Sequence, residues 1–501
     1  MAEFLQLYNG QAFAAAELPR LPLDDLRSLV IDEVADGARL AALFARPTAG
    51  VMQLVAVLAR AEVGSLVATS AEVGDRYPAL TPECAQAHCF EREIAEQWGI
   101  QPAGHPWLKP LRFQPPRRPA AAADNAPHAI CGTADFFAMQ GEEVHEVAVG
   151  PVHAGIIEPG HFRFQCHGET VYHLEISLGY QHRGVERAMV AGPGKRVIHY
   201  VETLAGDTSV GHATAYCRIV EALAKIRVPA RAQLIRGLAL ELERIANHIG
   251  DLGAMAGDVG FLPTQSYCGR IRGDVLNLTA LLCGNRFGRG LVRPGGVAFD
   301  VDAKIVAQLQ ERLDIVLHDA TVAIELMFDA PSVMARFERV GMVPAEVCVQ
   351  LGLVGVAARA CGLNRDVRRD FPYGIYRFAQ IPVSTHDSGD VFARACIRWL
   401  EIRRSLEFLR EQLQSLPDGP IAGEAAPPAA GRMAVSLVEG WRGEICHIAA
   451  TDDGGKLEFY KVIDPSFHNW SGLAYAVRNQ QISDFPLCNK SFNLSYCGHD
   501  L

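Results

Sequence analysis

The chain has 501 residues, 49% apolar and 21% charged, too long for a single hydrophobic core and too apolar for a disordered polypeptide. Forty-seven basic residues against fifty-seven acidic ones leave a formal charge of −10, so no chain-wide basic field points to nucleic acid. No stretch approaches the roughly eighteen apolar residues of a spanning helix, and the opening MAEFLQLYNG lacks the basic and apolar regions of a signal peptide. A soluble, cytoplasmic protein is expected, with room for a membrane-bound partner.

Residues 1–113 mix short apolar runs, such as Leu54 to Leu58 and Ser65 to Val67, with amphipathic stretches. This predicts a small α/β domain. A local basic cluster follows, Lys109, Arg112, Arg117 and Arg118, which reads either as a solvated linker or as a docking patch. Residues 114–128, QPPRRPAAAADNAPH, have the composition of a linker. Gly150 to Ile176 alternates like β-structure, and helical patterns cover roughly 197–225. From Pro229 onward, Ala232, Ile235, Leu238, Leu242, Ile245, Ile249 and Leu252 form one apolar stripe at three- and four-residue steps, the mark of a long helix. Helices are further predicted over about 262–285, 302–330 and 388–415, a second Pro/Ala-rich break over 418–432, and strands over Ala434 to Ala449. The fold class is therefore α+β: an N-terminal α/β domain, then a large helical bundle with small peripheral sheets over 129–501.

Thirteen cysteines run from Cys84 to Cys497 without one CxxC pair. They read as buried thiols, not disulfides. No local set offers the four thiolates of an iron–sulfur cluster.

FEREIAEQWGIQPAGHPWL at 90–108 resembles the signature of the complex I thirty-kilodalton subunit, in which the module is a structural partner. His105 before Pro106 then reads as a turn residue. GPVHAGIIEPGHFRF at 150–164, GYQHRGVER at 179–187 and VPARAQLIRGLALELERIANHIGDLGA at 228–254 resemble the complex I forty-nine-kilodalton subunit and, more closely, the large subunit of energy-converting nickel–iron hydrogenases. NRFGRGLVRPGGV at 285–297, AARACGLNRDVRRDFPYGIY at 357–376 and GEICHI at 443–448 continue the series. The resemblance implies a redox-chamber subunit, joined to an iron–sulfur small subunit and to membrane antiporter-like subunits. It would sit on the cytoplasmic side of the inner membrane.

The pattern breaks at the metal ligands. Hydrogenases of this family hold nickel and iron with two CxxC pairs, whose soft thiolates bind and bridge both metals. Here those four places fall at Ala205, Thr208, Ser495 and Gly498, with Cys497 one position off. The chain also ends without the long tail that maturation removes from many such hydrogenases. No nickel–iron centre is expected, no metal ligand is assigned, and an iron–sulfur cluster is expected only in the partner subunit. The complex I quinone pair, a histidine and a tyrosine, falls near Pro159 and Gly206, so that site is altered too. His153 and His161 are the candidate contacts for a quinone or other polar acceptor.

Polar residues in the chamber-lining segments remain the candidates for proton chemistry: His182, Arg183, Glu186, Asp207, His212 and Arg359. His182, Arg183 and Glu186 read equally as a buried structural network. Asp207 has the sharper claim, since it stands between two vanished cysteines without an evident packing duty, and it is expected to converge with His212 through the intervening turn. Glu241, Glu243 and Arg244 read as a solvated or salt-bridged helix face, and His248 and Asp251 as structural. Two rivals stay open, an active hydrogenase and a non-catalytic structural adaptor.

Overall fold

A computed structural model describes residues 3–48, 50–118, 130–133, 135–153, 157–191 and 196–501. Most of the expected 114–128 linker, residues 119–128, lies outside them.

The N-terminal part is built on a five-stranded sheet. Leu5–Leu7, Ser65–Val73, Val51–Arg60 and Arg39–Thr48 lie side by side and antiparallel, and Arg20–Leu21 joins Ser65–Val73 in parallel. The central strands are buried almost continuously instead of at alternate positions. Such runs require cover on both faces. Helix Leu23–Ala35 supplies part of it through Leu26 and Val30, four residues apart on one side, and His88–Trp98 packs against Arg39–Thr48.

The remainder is organised around the predicted long helix, Ala230–Asp258. At 1.5 Å per residue it is about 44 Å long, and Leu262–Cys283, Ala303–Phe328 and Val391–Gln414 lie along it. Residues 154–156 of the strand-like region from Gly150 lie outside the described ones; Val144–Val149, His161–His167 and Thr170–Ser177 form an antiparallel sheet. A second antiparallel sheet joins Leu457–Ile463, Gly443–Thr451 and Arg432–Gly440, all nine residues of the middle strand being buried. The architecture is α+β, as the sequence predicts.

Three details modify the expectations. The helix expected over 197–225 is two, Val197–Val201 and Ser209–Ala224, parted by a turn. Side chains hold that turn: Asn247 and Trp441 donate to the Asp207 carbonyl at 3.0 and 3.1 Å, and the Ser209 hydroxyl donates to Glu202 O at 2.8 Å. Next, Ala12–Ala14 adds to the C-terminal sheet beside Arg432–Gly440, and Asn9 brackets Leu437 with hydrogen bonds of 2.8 and 2.9 Å. Finally, the basic cluster is neither solvated linker nor open patch. Lys109 pairs with Glu175 (2.8 Å), Arg117 with Glu186 (2.8 Å) and Arg118 with Asp75 (2.6 Å), while buried Arg112 pairs with Glu93. These cations tie the N-terminal module to the rest through carboxylates in both parts.

Candidate functional site

The segments of the vanished cysteines come together. Arg183 Nη2 donates to Leu204 O at 3.0 Å and Cys497 O at 3.3 Å, and Arg442 reaches Asp207 and Thr208 on one side and Asn493 O on the other. Asp207 is not a free carboxylate. It forms a two-pronged pair with Arg442 at 2.6 and 2.8 Å. Burial acts to raise its pKa, but the guanidinium outweighs burial and holds the carboxyl below its usual range. Arg442 is itself fixed over the Trp441 ring at 3.8 Å.

His212 takes a different set of partners, and the two residues share no hydrogen bond. Its Nε2 lies 3.0 Å from Asp464 Oδ2 and its Nδ1 3.1 Å from His447 Nε2; His447 Nδ1 lies 2.8 Å from the Tyr460 hydroxyl. His212, Asp464, His447 and Tyr460 are all buried. One assignment of protons satisfies every member. Ionised Asp464 accepts from His212 Nε2–H, which leaves Nδ1 to accept from His447 Nε2–H, which leaves the second His447 nitrogen for the Tyr460 O–H. Burial disfavours the charged form of His447, and proximity to His212 disfavours it further. Asp464, which burial would raise, is held below its usual range by the His212 hydrogen bond and by Arg442. In this assignment all donors in the row point toward Asp464.

Asp464 sits where it does because Asp-Pro starts a helix: it caps Pro465–Ala476 by accepting from Ser466 N at 2.8 Å. It also faces one of the lost ligand positions. A Cβ at Gly498 would stand 2.7 Å from Asp464 Cγ. The Ser495 hydroxyl is turned inward to cap Tyr496–Asp500, accepting from Gly498 N at 2.9 Å. The nearby Cys497 thiol is pushed up to about 11 by burial and the Glu158 carboxylate, which keeps it protonated. These residues do not fit a nickel–iron centre: the thiolate positions are empty of sulfur, and one is closed by Asp464.

Glu243 departs from the solvated or salt-bridged face expected of it: it is buried and pairs with no cation among the described residues. It accepts from Val210 N (2.7 Å) and Gly211 N (3.1 Å) at the start of Ser209–Ala224. Burial pushes it up to about 8 in spite of these bonds, with the Asp207 charge adding to the effect.

The other candidates lie in separate arrangements. His182 Nδ1 donates to the backbone carbonyl of Asp500 at 2.7 Å. Glu186 is drawn away into a buried cluster with Lys461 (2.9 Å), Arg117 and Val462 N. Arg359 belongs to an ionic network with Glu401 (2.9 Å) and Glu439 (2.9 Å), to which Arg244 and His248 also contribute through Glu401. In that network Glu241 holds Arg368 and Arg244, so Glu241 and Arg244, two members of the expected helix face, are salt-bridged but fully buried. His153 and His161 each bond one backbone carbonyl, Gly160 O at 2.9 Å and Gly150 O at 3.2 Å. The second ring nitrogen of His161 is buried without a partner among the described residues. His105 is the turn residue expected, accepting from Trp107 N at 3.0 Å.

Arg442, His447, Tyr460 and Asp464 escaped sequence reasoning. The string GWRGEICHI and the Asp464-Pro465 pair were the available signals.

The profile of the family described as respiratory-chain NADH dehydrogenase, 49 Kd subunit, matches residues 258–434. The carbon monoxide-induced hydrogenase of Rhodospirillum rubrum is 31% identical over 353 residues, covering 70% of this chain and 97% of that protein. Formate hydrogenlyase subunit 5 of Escherichia coli is 29% identical over 438 residues, 84% of this chain and 76% of that protein. NADH-quinone oxidoreductase subunit 4 of Thermus thermophilus is 31% identical over 369 residues, 68% and 90% respectively. With near-complete coverage of the hydrogenase and of the complex I subunit, the chain belongs to the family of the respiratory 49 kDa subunit and its hydrogenase relatives.

Proposed function

We propose that this chain is the redox-chamber subunit of a membrane-associated, complex I-like or hydrogenase-related oxidoreductase, one that couples electron transfer to proton or cation movement without a nickel–iron centre of its own. The observation that carries this reading is the buried row Tyr460–His447–His212–Asp464, which ends against Gly498, one of the former ligand positions. Two imidazoles and a carboxylate in contact form a hydrogen-bonded chain of acid–base groups. Electrons would come from an iron–sulfur cluster in a partner small subunit, and membrane antiporter-like subunits would carry the ion. No helix among the described residues is long and apolar enough to cross a membrane, so attachment would be peripheral, through those partners. His153 and His161 are the candidate contacts for a quinone-like acceptor.

The adaptor reading has one observation in its favour, the Arg442 pair that occupies the Asp207 carboxylate. Purification of the tagged chain from detergent-solubilised membranes of its native host tests the assignment. Recovery with an iron–sulfur subunit and multi-helix membrane subunits, and with electron-transfer activity, is expected. Recovery of the chain alone, from the soluble fraction, would overturn it.

A further inference from the structure

The helix that carries His212 near its start ends at a second polar site about 20 Å away, thirteen residues on at 1.5 Å each. There a cavity of about 330 Å³ lies between the end of Ser209–Ala224, the start of Ala230–Asp258 and the segment around Tyr373 to Arg377. Arg218, Lys225, Arg236 and Arg377 line it, against a single carboxylate, Glu221. That carboxylate is already taken: Arg236 binds it at 2.6 and 3.2 Å, and Gly295 N at 2.8 Å. Arg218, Lys225 and Arg377 have no ion pair among the described residues, which leaves an excess of three positive charges around the cavity.

Arg218 is the informative member. It is half-buried, and its hydrogen bonds among the described residues are to neutral groups, the Ser436 hydroxyl at 3.2 Å and Asn9 O at 3.1 Å. A guanidinium withdrawn from water normally meets an anion. Instead it is held in place by neutral structure: it lies over the Tyr373 ring at 5.0 Å, and a Cβ at Gly10 would come within 2.3 Å of its Nη2. The Thr214 hydroxyl, also lining the cavity, is buried without a partner among the described residues. Val228, Leu240 and Ile375 supply an apolar wall.

We propose that this cavity binds a small organic anion with at least two negative charges, its phosphate or carboxylate groups held by Arg218, Lys225 and Arg377 and its carbon skeleton against the apolar wall. Such a ligand would satisfy the unpaired guanidinium and the Thr214 hydroxyl together. Because the site includes Asn9 and Gly10 as well as the helix of His212, occupancy would also brace the N-terminal segment against the bundle. The inference does not depend on the redox reading.

The test is calorimetric titration of the full chain with ADP and with inorganic pyrophosphate. Saturable binding of ADP is expected, tighter than that of pyrophosphate, and weakened at least about tenfold in the double variant Lys225→Glu/Arg377→Glu. Both side chains are exposed, so the variant should fold, and an unchanged melting temperature without ligand checks this. Arg377→Lys, which keeps the charge, should retain most of the affinity. Absence of ADP binding at millimolar concentration, or binding that the charge reversal leaves unchanged, would overturn the proposal. Equal affinity for pyrophosphate would remove the organic part of it. Binding of the chain to phosphatidylglycerol vesicles, abolished by the same reversal while ADP does not compete, would replace it with a lipid site.

Discussion

Glu243 and Gly211 meet across two helices, the carboxylate accepting the Gly211 N–H at 3.1 Å next to the Val210 bond. Any Cβ at Gly211 would crowd Ile445 at 2.8 Å. The carboxyl thus fastens the start of the His212 helix to the long central helix. It is raised to about 8 when folded, against 4.5 as the ordinary value. Between about pH 4.5 and 8 the folded protein therefore holds a proton that the unfolded chain has released, and stability falls as pH rises through that window. Glu243→Gln is neutral throughout. Its melting temperature relative to the wild type should climb from about pH 5 to 8 and level off above. A difference independent of pH would show that Glu243 ionises normally.

The Asp207–Arg442 pair is expected to be structural before it is catalytic. Arg442→Ala leaves the Asp207 carboxylate without its cation and removes the packing on Trp441. Because Asp207 is about one-third exposed, the loss should be about 1–3 kcal/mol in chemical denaturation, less than for a fully buried pair. The double variant Arg442→Ala/Asp207→Asn should recover part of it. No recovery would mean that the Trp441 packing, not the charge pair, carries the effect.

Metal content follows from ligand chemistry. With Ala205, Thr208, Ser495 and Gly498 at the four thiolate places, elemental analysis of the purified chain should find neither nickel nor iron at stoichiometric level. About one nickel per chain would restore the hydrogenase reading.

Residues 1–113 are proposed as a folding unit around the five-stranded sheet. Expressed alone they should melt cooperatively but below the full chain, because Ala12–Ala14 loses its sheet partner and Glu93 loses Lys461. A soluble fragment without a cooperative melt would count against the boundary at 113.

The sequence carried the layout well and the contacts poorly, for physical reasons. The long helix was legible because its apolar stripe runs unbroken from Ala232 to Leu252. The same stripe held an unused signal: Glu241 lies three residues after Leu238 and four before Ile245, and His248 three beyond that, so both had to be buried. The turn at 202–208 was hidden because side chains from Asn247 and Trp441, remote in sequence, hold it. The partners of His212 were beyond reach for the same reason, Asp464 being 252 positions away and His447 235. Asp207 looked idle only because Arg442, equally remote, could not be placed beside it.

The most direct measurement of the central claim is turnover of the assembled complex carrying Asp464→Asn or His212→Gln. Each change keeps the shape and breaks the row from Tyr460 to Asp464 at one link. Membranes containing normal amounts of the complex should lose electron transfer or coupled ion movement by at least about tenfold, the usual contribution of a general acid or base being 10²–10⁴. Tyr460→Phe, at the far end of the row, should give a smaller loss in the same direction. Wild-type rates in both the Asp464→Asn and His212→Gln complexes would contradict the account and leave the chamber as a structural adaptor.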